Sequence, residues 1–132
     1  DRRDQLFMDL SLNLKGVVAQ QLIPTADGKG RKVAMEIMIG TPLIQDYIRK
    51  GEIHKLKEVM KDSTNLGMQT FDQALFTLYQ AGHIAYEDAL RFADSSNEVR
   101  LKIKLAQGGD AHTLSMGLQV DLVDDEGHTR IR

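Results

Sequence analysis

The side chains with chemical potential in this sequence are a glycine–lysine run, four histidines and scattered carboxylates. Asp27-Gly28-Lys29-Gly30 sets glycines around a lysine, the residue types of a phosphate cradle. A phosphate loop also needs Ser or Thr directly after the lysine and a second glycine further upstream, and neither is present. The run therefore reads as a turn. His54, His83, His112 and His128 have no second histidine or metal-binding carboxylate pattern at the short helical spacing of zinc sites, so each reads as a surface or partly buried side chain. Asp124-Asp125-Glu126 reads as a solvated turn, and Asp46 and Glu52 flank a helix. No residue is nominated as catalytic and none as a metal ligand.

The composition narrows the class. At 132 residues, with 42% apolar and 27% charged side chains, the chain is one soluble domain or a large piece of one. A net charge of −2 and 5% aromatic content argue against a nucleic-acid binder. There is no cysteine, which removes disulfides, thiol nucleophiles and cysteine-based zinc sites together, and fits a cytoplasmic setting. No apolar run reaches the ~18 residues of a membrane helix, and no signal peptide is visible. The start Asp1-Arg2-Arg3-Asp4 lacks an initiator methionine, so a piece of a longer protein is expected.

The elements follow from periodicity. Leu6, Phe7, Leu10, Leu14, Val17 and Val18 recur at steps of three and four, giving a helix from Arg2 to Gly16. Val17 to Ile23 then reads as a buried strand, although helix and strand stay open there until Pro24 ends the run. Thr25 to Gly30 is turn chemistry between two apolar runs, hence an antiparallel hairpin. Val33, Met35, Ile37 and Ile39 fall on one face of the second strand, with Ala34 and Met38 on the other, so both faces are expected to be covered. Short helices follow, carrying Leu43, Ile44, Tyr47 and Ile48 up to Gly51, then Ile53, Leu56, Val59 and Met60, then Phe71, Leu75, Leu78 and Tyr79 up to Gly82. A helix from Tyr86 to Ala93 and one capped by Ser95 or Ser96, with Val99, Ile103 and Leu105, complete the set. Gly108-Gly109 reads as a linker. Beyond it, Leu114, Met116, Leu118, Val120 and Leu122 alternate like a strand that Asp125-Glu126-Gly127 could turn back, or form a poorly ordered tail.

Two junctions stand out. At Ile39-Gly40-Thr41-Pro42 the pattern switches from strand to helix; Thr41 can cap the helix amides, and Pro42 at the first helical position costs no needed donor. At Gly67-Met68-Gln69-Thr70-Phe71-Asp72, Thr70 can cap the next helix, and Asp72 sits near its positive end. The second stretch could serve as a packing or a subunit-contact surface.

These residues carry a resemblance. Leu14 to Pro24 resembles the segment downstream of the catalytic motifs in type IV pilus and type II secretion ATPases. Val33 to Pro42, Gly67 to Leu75 and Ala81-Gly82-His83-Ile84 are similar to its PilT/PilU retraction branch, in the right order across roughly residues 1–105. The family's short helix after Gly-Thr-Pro has an arginine where Gln45 stands, an asparagine at Asp46 and a glutamate at Lys50, while Arg49 and the apolar positions keep their type. Those changes, and the added tail, resemble the accessory PilU-like branch.

The resemblance implies an α/β fold: the C-terminal portion of a RecA-like P-loop ATPase core (helix plus β-hairpin), followed by a bundle of short helices. It implies core in 1–40, a C-terminal helical subdomain in 41–107 and a tail in 108–132. It further implies a homo-hexameric, Mg-dependent ATPase driving pilus retraction and twitching motility. That motor would sit in the cytoplasm, peripheral at the inner membrane, with a paralogous retraction ATPase and the pilus platform protein as partners and no nucleic acid. Walker A and Walker B lie upstream in this family, so ATP and Mg belong to the longer protein, and no cofactor or hydrolysis is expected of this chain. The implied retraction-motif and interface residues are Thr41, Pro42, Ile44, Gln45, Asp46, Ile48, Arg49, Gly67, Met68, Gln69 and Asp72. The rival expectation is a non-enzymatic helical protein-interaction module. In a RecA-like core the strand near Val17–Leu22 would pair with further sheet, so in this chain its unpaired edge is expected to promote self-association.

Overall fold

A computed structural model describes residues 2–108. The elements are α1 (Arg2–Asn13), β1 (Gly16–Pro24), β2 (Arg31–Ile39), α2 (Pro42–Lys50), α3 (Leu56–Asp62), α4 (Phe71–Gln80), α5 (Tyr86–Arg91) and α6 (Ser96–Gln107), with short 3-10 turns at Ile53–Lys55 and Thr64–Leu66. This is the mixed helix-and-hairpin class expected. Gly109 of the expected linker, the alternating stretch 114–122, the turn at 125–127, and His112 and His128 lie outside the described residues.

β1 and β2 form an antiparallel hairpin running from Gly16 opposite Ile39 to Pro24 opposite Arg31. Its turn is closed by Asp27, whose Oδ1 accepts the Thr25 hydroxyl at 2.6 Å and the Lys29 amide at 2.9 Å. β2 is also engaged on its far edge. The Ile37 amide donates to the Gln69 carbonyl at 2.8 Å, and the Gln69 amide returns the bond to Ile37 at 3.0 Å.

The apolar interior is divided in two. One cluster joins Ile23 and Ala34 of the hairpin to Ala74 and Leu75 of α4, Ile84, Ala89 of α5, and Val99 and Ile103 of α6. The other joins Ile44 and Ile48 of α2 to Met60 of α3 and to Met68, with Leu14, Met38, Ile39, Leu56 and Val59 at its edge. Gly40 lets the chain pass close to the end of α1: a Cβ there would stand 2.3 Å from the Leu14 carbonyl oxygen. No larger residue fits that crossing without moving backbone.

Several expectations need correction. The helix stops at Asn13, and Val17 and Val18 belong to β1, on its opposite faces. The apolar residues of α1 do not form a buried stripe: Leu6 and Leu10 are exposed, and Ser11 is its one buried residue. β1 is a strand but not a buried one, with Val18 at 62% and Leu22 at 53% exposure and Ile23 alone fully inside. The cause is the sheet itself. Among the described residues it has two strands, so the helices cover its inner face and leave much of the face bearing Val18, Leu22 and Val33 open. The fifth helix ends at Arg91, short of Ala93. Ser95 occupies the N-cap position of α6, but its side chain makes no capping hydrogen bond.

Candidate functional site

Helix α2 is fixed at both ends by its own sequence. Thr41 is extended, and its Oγ1 accepts the Ile44 amide at 3.4 Å, while Pro42 opens the helix. Gly51, at φ 72°, ends it with the Gly51 and Glu52 amides donating to the Ile48 and Tyr47 carbonyls at 3.0 and 2.9 Å. Ile44 and Ile48, one turn apart, are buried against Met60 and Met68. Arg49 and Lys50 lie in the last turn, where their charge complements the helix dipole.

The outer face of α2 carries an ordered charge cluster. Asp46 accepts from Arg49 at 2.6 Å and Lys50 at 2.8 Å. The Lys50 ammonium, and then the Arg49 guanidinium, hold the Asp46 carboxyl below its usual range, and Asp46 raises Lys50 in turn. Gln45 is half-buried beside them. Exposed pairs of this kind contribute little to stability. They do hold Arg49 and Lys50 in one arrangement on a rigid helix.

The second candidate stretch meets the first inside the protein. Gly67, at φ 92°, closes the 3-10 turn, and Met68 enters the cluster of Ile44 and Ile48. Gln69 extends the sheet through its backbone, and its Nε2 donates to the Met35 carbonyl at 2.7 Å. Thr70 and Gln73 form a reciprocal capping box at the start of α4. Asp72 reaches outward from that first turn. Its two oxygens accept the Asp94 and Ser95 amides at 2.8 and 2.9 Å, tying the chain that enters α6 to the start of α4. Of the candidate residues, Ile44, Ile48 and Met68 thus converge in one core, Thr41, Pro42, Gly67, Gln69 and Asp72 set backbone, and Gln45, Asp46 and Arg49 form the accessible face.

The chain is 58% identical over 129 residues to the type IV pilus ATPase PilU of Pseudomonas aeruginosa, a match covering 96% of this chain and 34% of that protein. A twitching motility protein of Neisseria gonorrhoeae is 39% identical over 90 residues, covering 68% of this chain and 24% of its own length. The solved structure of the pilus retraction motor PilT with bound ADP superposes with a TM-score of 0.61 at 32% identity, over 72% of this chain and 26% of that one. In sequence and in fold, the chain is of the PilT/PilU type. It spans about a third of the length of the PilU relative. No protein-family model matches it.

Two residues of this PilT/PilU-type chain were not singled out from its sequence. Glu36 accepts the Phe71 amide at 3.0 Å and the Lys57 ammonium at 2.7 Å, and Lys57 also reaches Asp94 at 2.8 Å. Burial alone would lower the Lys57 pKa; Asp94 and Glu36 outweigh it, and the pKa is raised. The available signal was Glu36 itself, the one carboxylate in the apolar run from Val33 to Ile39.

The turn from Thr25 to Gly30 does not have the form of a phosphate cradle. The Gly28 amide donates to the Thr25 carbonyl, the Lys29 amide to Asp27, and the Gly30 amide to the Thr25 hydroxyl. The amides of Gly28, Lys29 and Gly30 are thus taken up within the turn, and a strand rather than a helix follows it. Among the described residues no group of three metal-ligating side chains converges, and no helix is long and apolar enough to cross a membrane.

Proposed function

We propose that this chain is the C-terminal part of the motor in a PilU-like pilus retraction ATPase, and that it transmits force rather than performing the chemistry. In this reading residues 1–40 belong to a RecA-like core and residues 41–107 form a helical subdomain. The complete polypeptide hydrolyses Mg-ATP as a homo-hexamer on the cytoplasmic side of the inner membrane. It works there with a paralogous retraction ATPase and the pilus platform protein. The supporting observation is the two-sidedness of α2: Ile44 and Ile48 pack it against Met60 and Met68, while Gln45, Asp46, Arg49 and Lys50 lie on the other side of a helix capped at both ends. Such a helix can pass a displacement of its base to whatever meets its outer face.

The experiment is substitution of that face in the complete motor. Gln45→Ala with Arg49→Glu is expected to abolish pilus retraction while Mg-ATP hydrolysis persists. Unimpaired retraction would remove α2 from the coupling path. Alone, the 132-residue chain is expected neither to hydrolyse Mg-ATP nor to retain a fluorescent nucleotide.

A further inference from the structure

The last turn of α6 borders an open groove. Phe76, Tyr79 and Gly82 from the end of α4, Ala106 and Gln107 of α6, and the buried Ile84 line it around a volume of about 450 Å³. None of its lining residues is charged. Gln107 donates from Nε2 to the Tyr79 hydroxyl at 2.9 Å and ties the two helices together there.

The groove lies where the described residues stop. Gly108 follows Gln107 directly, its amide donating to the Lys104 carbonyl at 2.8 Å, and residues 109–132 continue from it. Within them Leu114, Met116, Leu118, Val120 and Leu122 alternate with Ser115, Gly117, Gln119 and Asp121. A segment so patterned needs one apolar surface to cover it and leaves its other side to water. Leu114 stands six positions beyond Gly108, a reach of up to about 20 Å when extended. The α6 side of the groove, from Ile103 to Gln107, rises only about 6 Å. A segment tethered this closely meets the groove at an effective concentration on the order of 1 mM, so it fills even a weak site ahead of a separate protein.

Charge favours the same occupant. Asp121, Asp124, Asp125 and Glu126 crowd the end of the alternating stretch. The hairpin turn adjoins the groove, because the Ala26 amide donates at 3.0 Å to the carbonyl of His83, the residue between Gly82 and Ile84 of the lining. Lys29, Arg31 and Lys32 at that turn are exposed, and among the described residues none of their side chains is ion-paired.

We propose that residues 114–122 seat their apolar side chains in the groove between α4 and α6, with the carboxylates of 121–126 beside the cations of the hairpin turn. This seat is independent of the role given to α2.

The sequence has no tryptophan, so a single introduced one reports alone. In the 132-residue chain, Leu118→Trp is expected to emit further to the blue and to resist acrylamide quenching better than Gln119→Trp, on the polar side of the pattern. Ala106→Glu puts a charge into the groove at an exposed position. Added to Leu118→Trp, it is expected to return emission and quenching to those of the Gln119→Trp chain. Lys29→Glu with Lys32→Glu is expected to move them part of the way. Equal exposure of the two tryptophans overturns the proposal. A shielded tryptophan that Ala106→Glu leaves untouched overturns the groove as its seat. Shielding that appears only as protein concentration rises overturns it too, since the occupant would then be a second copy. Indifference to the double lysine reversal overturns the placing of the acidic stretch. If circular dichroism shows that Ala106→Glu fails to fold, Gln80→Glu, at another exposed lining position, takes its place with the same expectation.

Discussion

Asp72 holds the start of α6 from the first turn of α4: one carboxylate oxygen accepts the Asp94 amide, the other the Ser95 amide. Charge-assisted bonds to backbone amides are among the stronger surface interactions, and here they join residues 22 and 23 positions apart. Asp72→Ala is expected to lower stability by about 1–2 kcal/mol, the usual cost of a lost helix cap. Asp72→Asn, which can still accept one amide, is expected to fall between. Urea denaturation of the three chains checks the order.

The legibility of the chain followed the range of its interactions. Thr41-Pro42 at a helix start, Gly51 and Gly82 at helix ends, and the Asp27-Gly28 turn were readable because each depends on neighbours a few residues away. The capping role of Thr70 was readable for the same reason. Asp72 was placed correctly near a helix N-terminus, but the helix it serves at greatest distance is α6, and no spacing rule reaches that far. The pairing of Ile37 with Gln69 and the Glu36–Lys57–Asp94 network are likewise long-range. The burial of β1 was misjudged because an apolar run reports a wish to be covered, not whether the described residues supply the cover.

The two faces of α2 should separate cleanly on mutation. Ile44 is fully buried, whereas Leu43 beside it is half exposed. Ile44→Ala removes methyl groups from the Met60–Met68 cluster and is expected to cost about 2–5 kcal/mol. Leu43→Ala is expected to stay within about 0.5 kcal/mol of the parent. Thermal unfolding followed by circular dichroism gives both values, and equal effects would mean α2 is rotated from the orientation described.

Gly51 combines a left-handed backbone with a close neighbour. At φ 72°, an added Cβ would also stand 3.1 Å from the Phe7 ring of α1. Gly51→Ala is expected to destabilise by about 1–2 kcal/mol from the backbone term. Pairing it with Phe7→Leu should recover only the steric part, so a double-mutant cycle distinguishes the two causes.

Asp46 gives a pH signature. Lys50 and Arg49 favour its ionised form, so its carboxyl should titrate below the ordinary 3.8. A depressed carboxylate contributes fully above its unfolded-state pKa, and the contribution disappears as pH falls through the folded-state value. Carbon-detected NMR titration of Asp46 is expected to show the lowered midpoint. Lys50→Met should move it upward more than Arg49→Met does, since Lys50 is the larger cause. A midpoint unmoved by either substitution would mean the cluster is not held in solution.

The open face of the hairpin predicts self-association. Leu22 and Val33 are directly opposed across the strands and about half exposed, and Val18 lies further along the same face. β1 has no neighbour on its outer edge among the described residues, leaving a row of unpaired backbone groups beside an apolar surface. Edges of this kind template pairing with a second chain. The 132-residue chain is therefore expected to show a weight-average mass that rises with concentration in light scattering. Val18→Lys with Leu22→Lys should suppress the rise, because a charged outer face opposes stacking and edge pairing without touching Ile23 or Ala34, the hairpin's contribution to the core. A monomer at every concentration in the unsubstituted chain would show that this surface is harmless on its own.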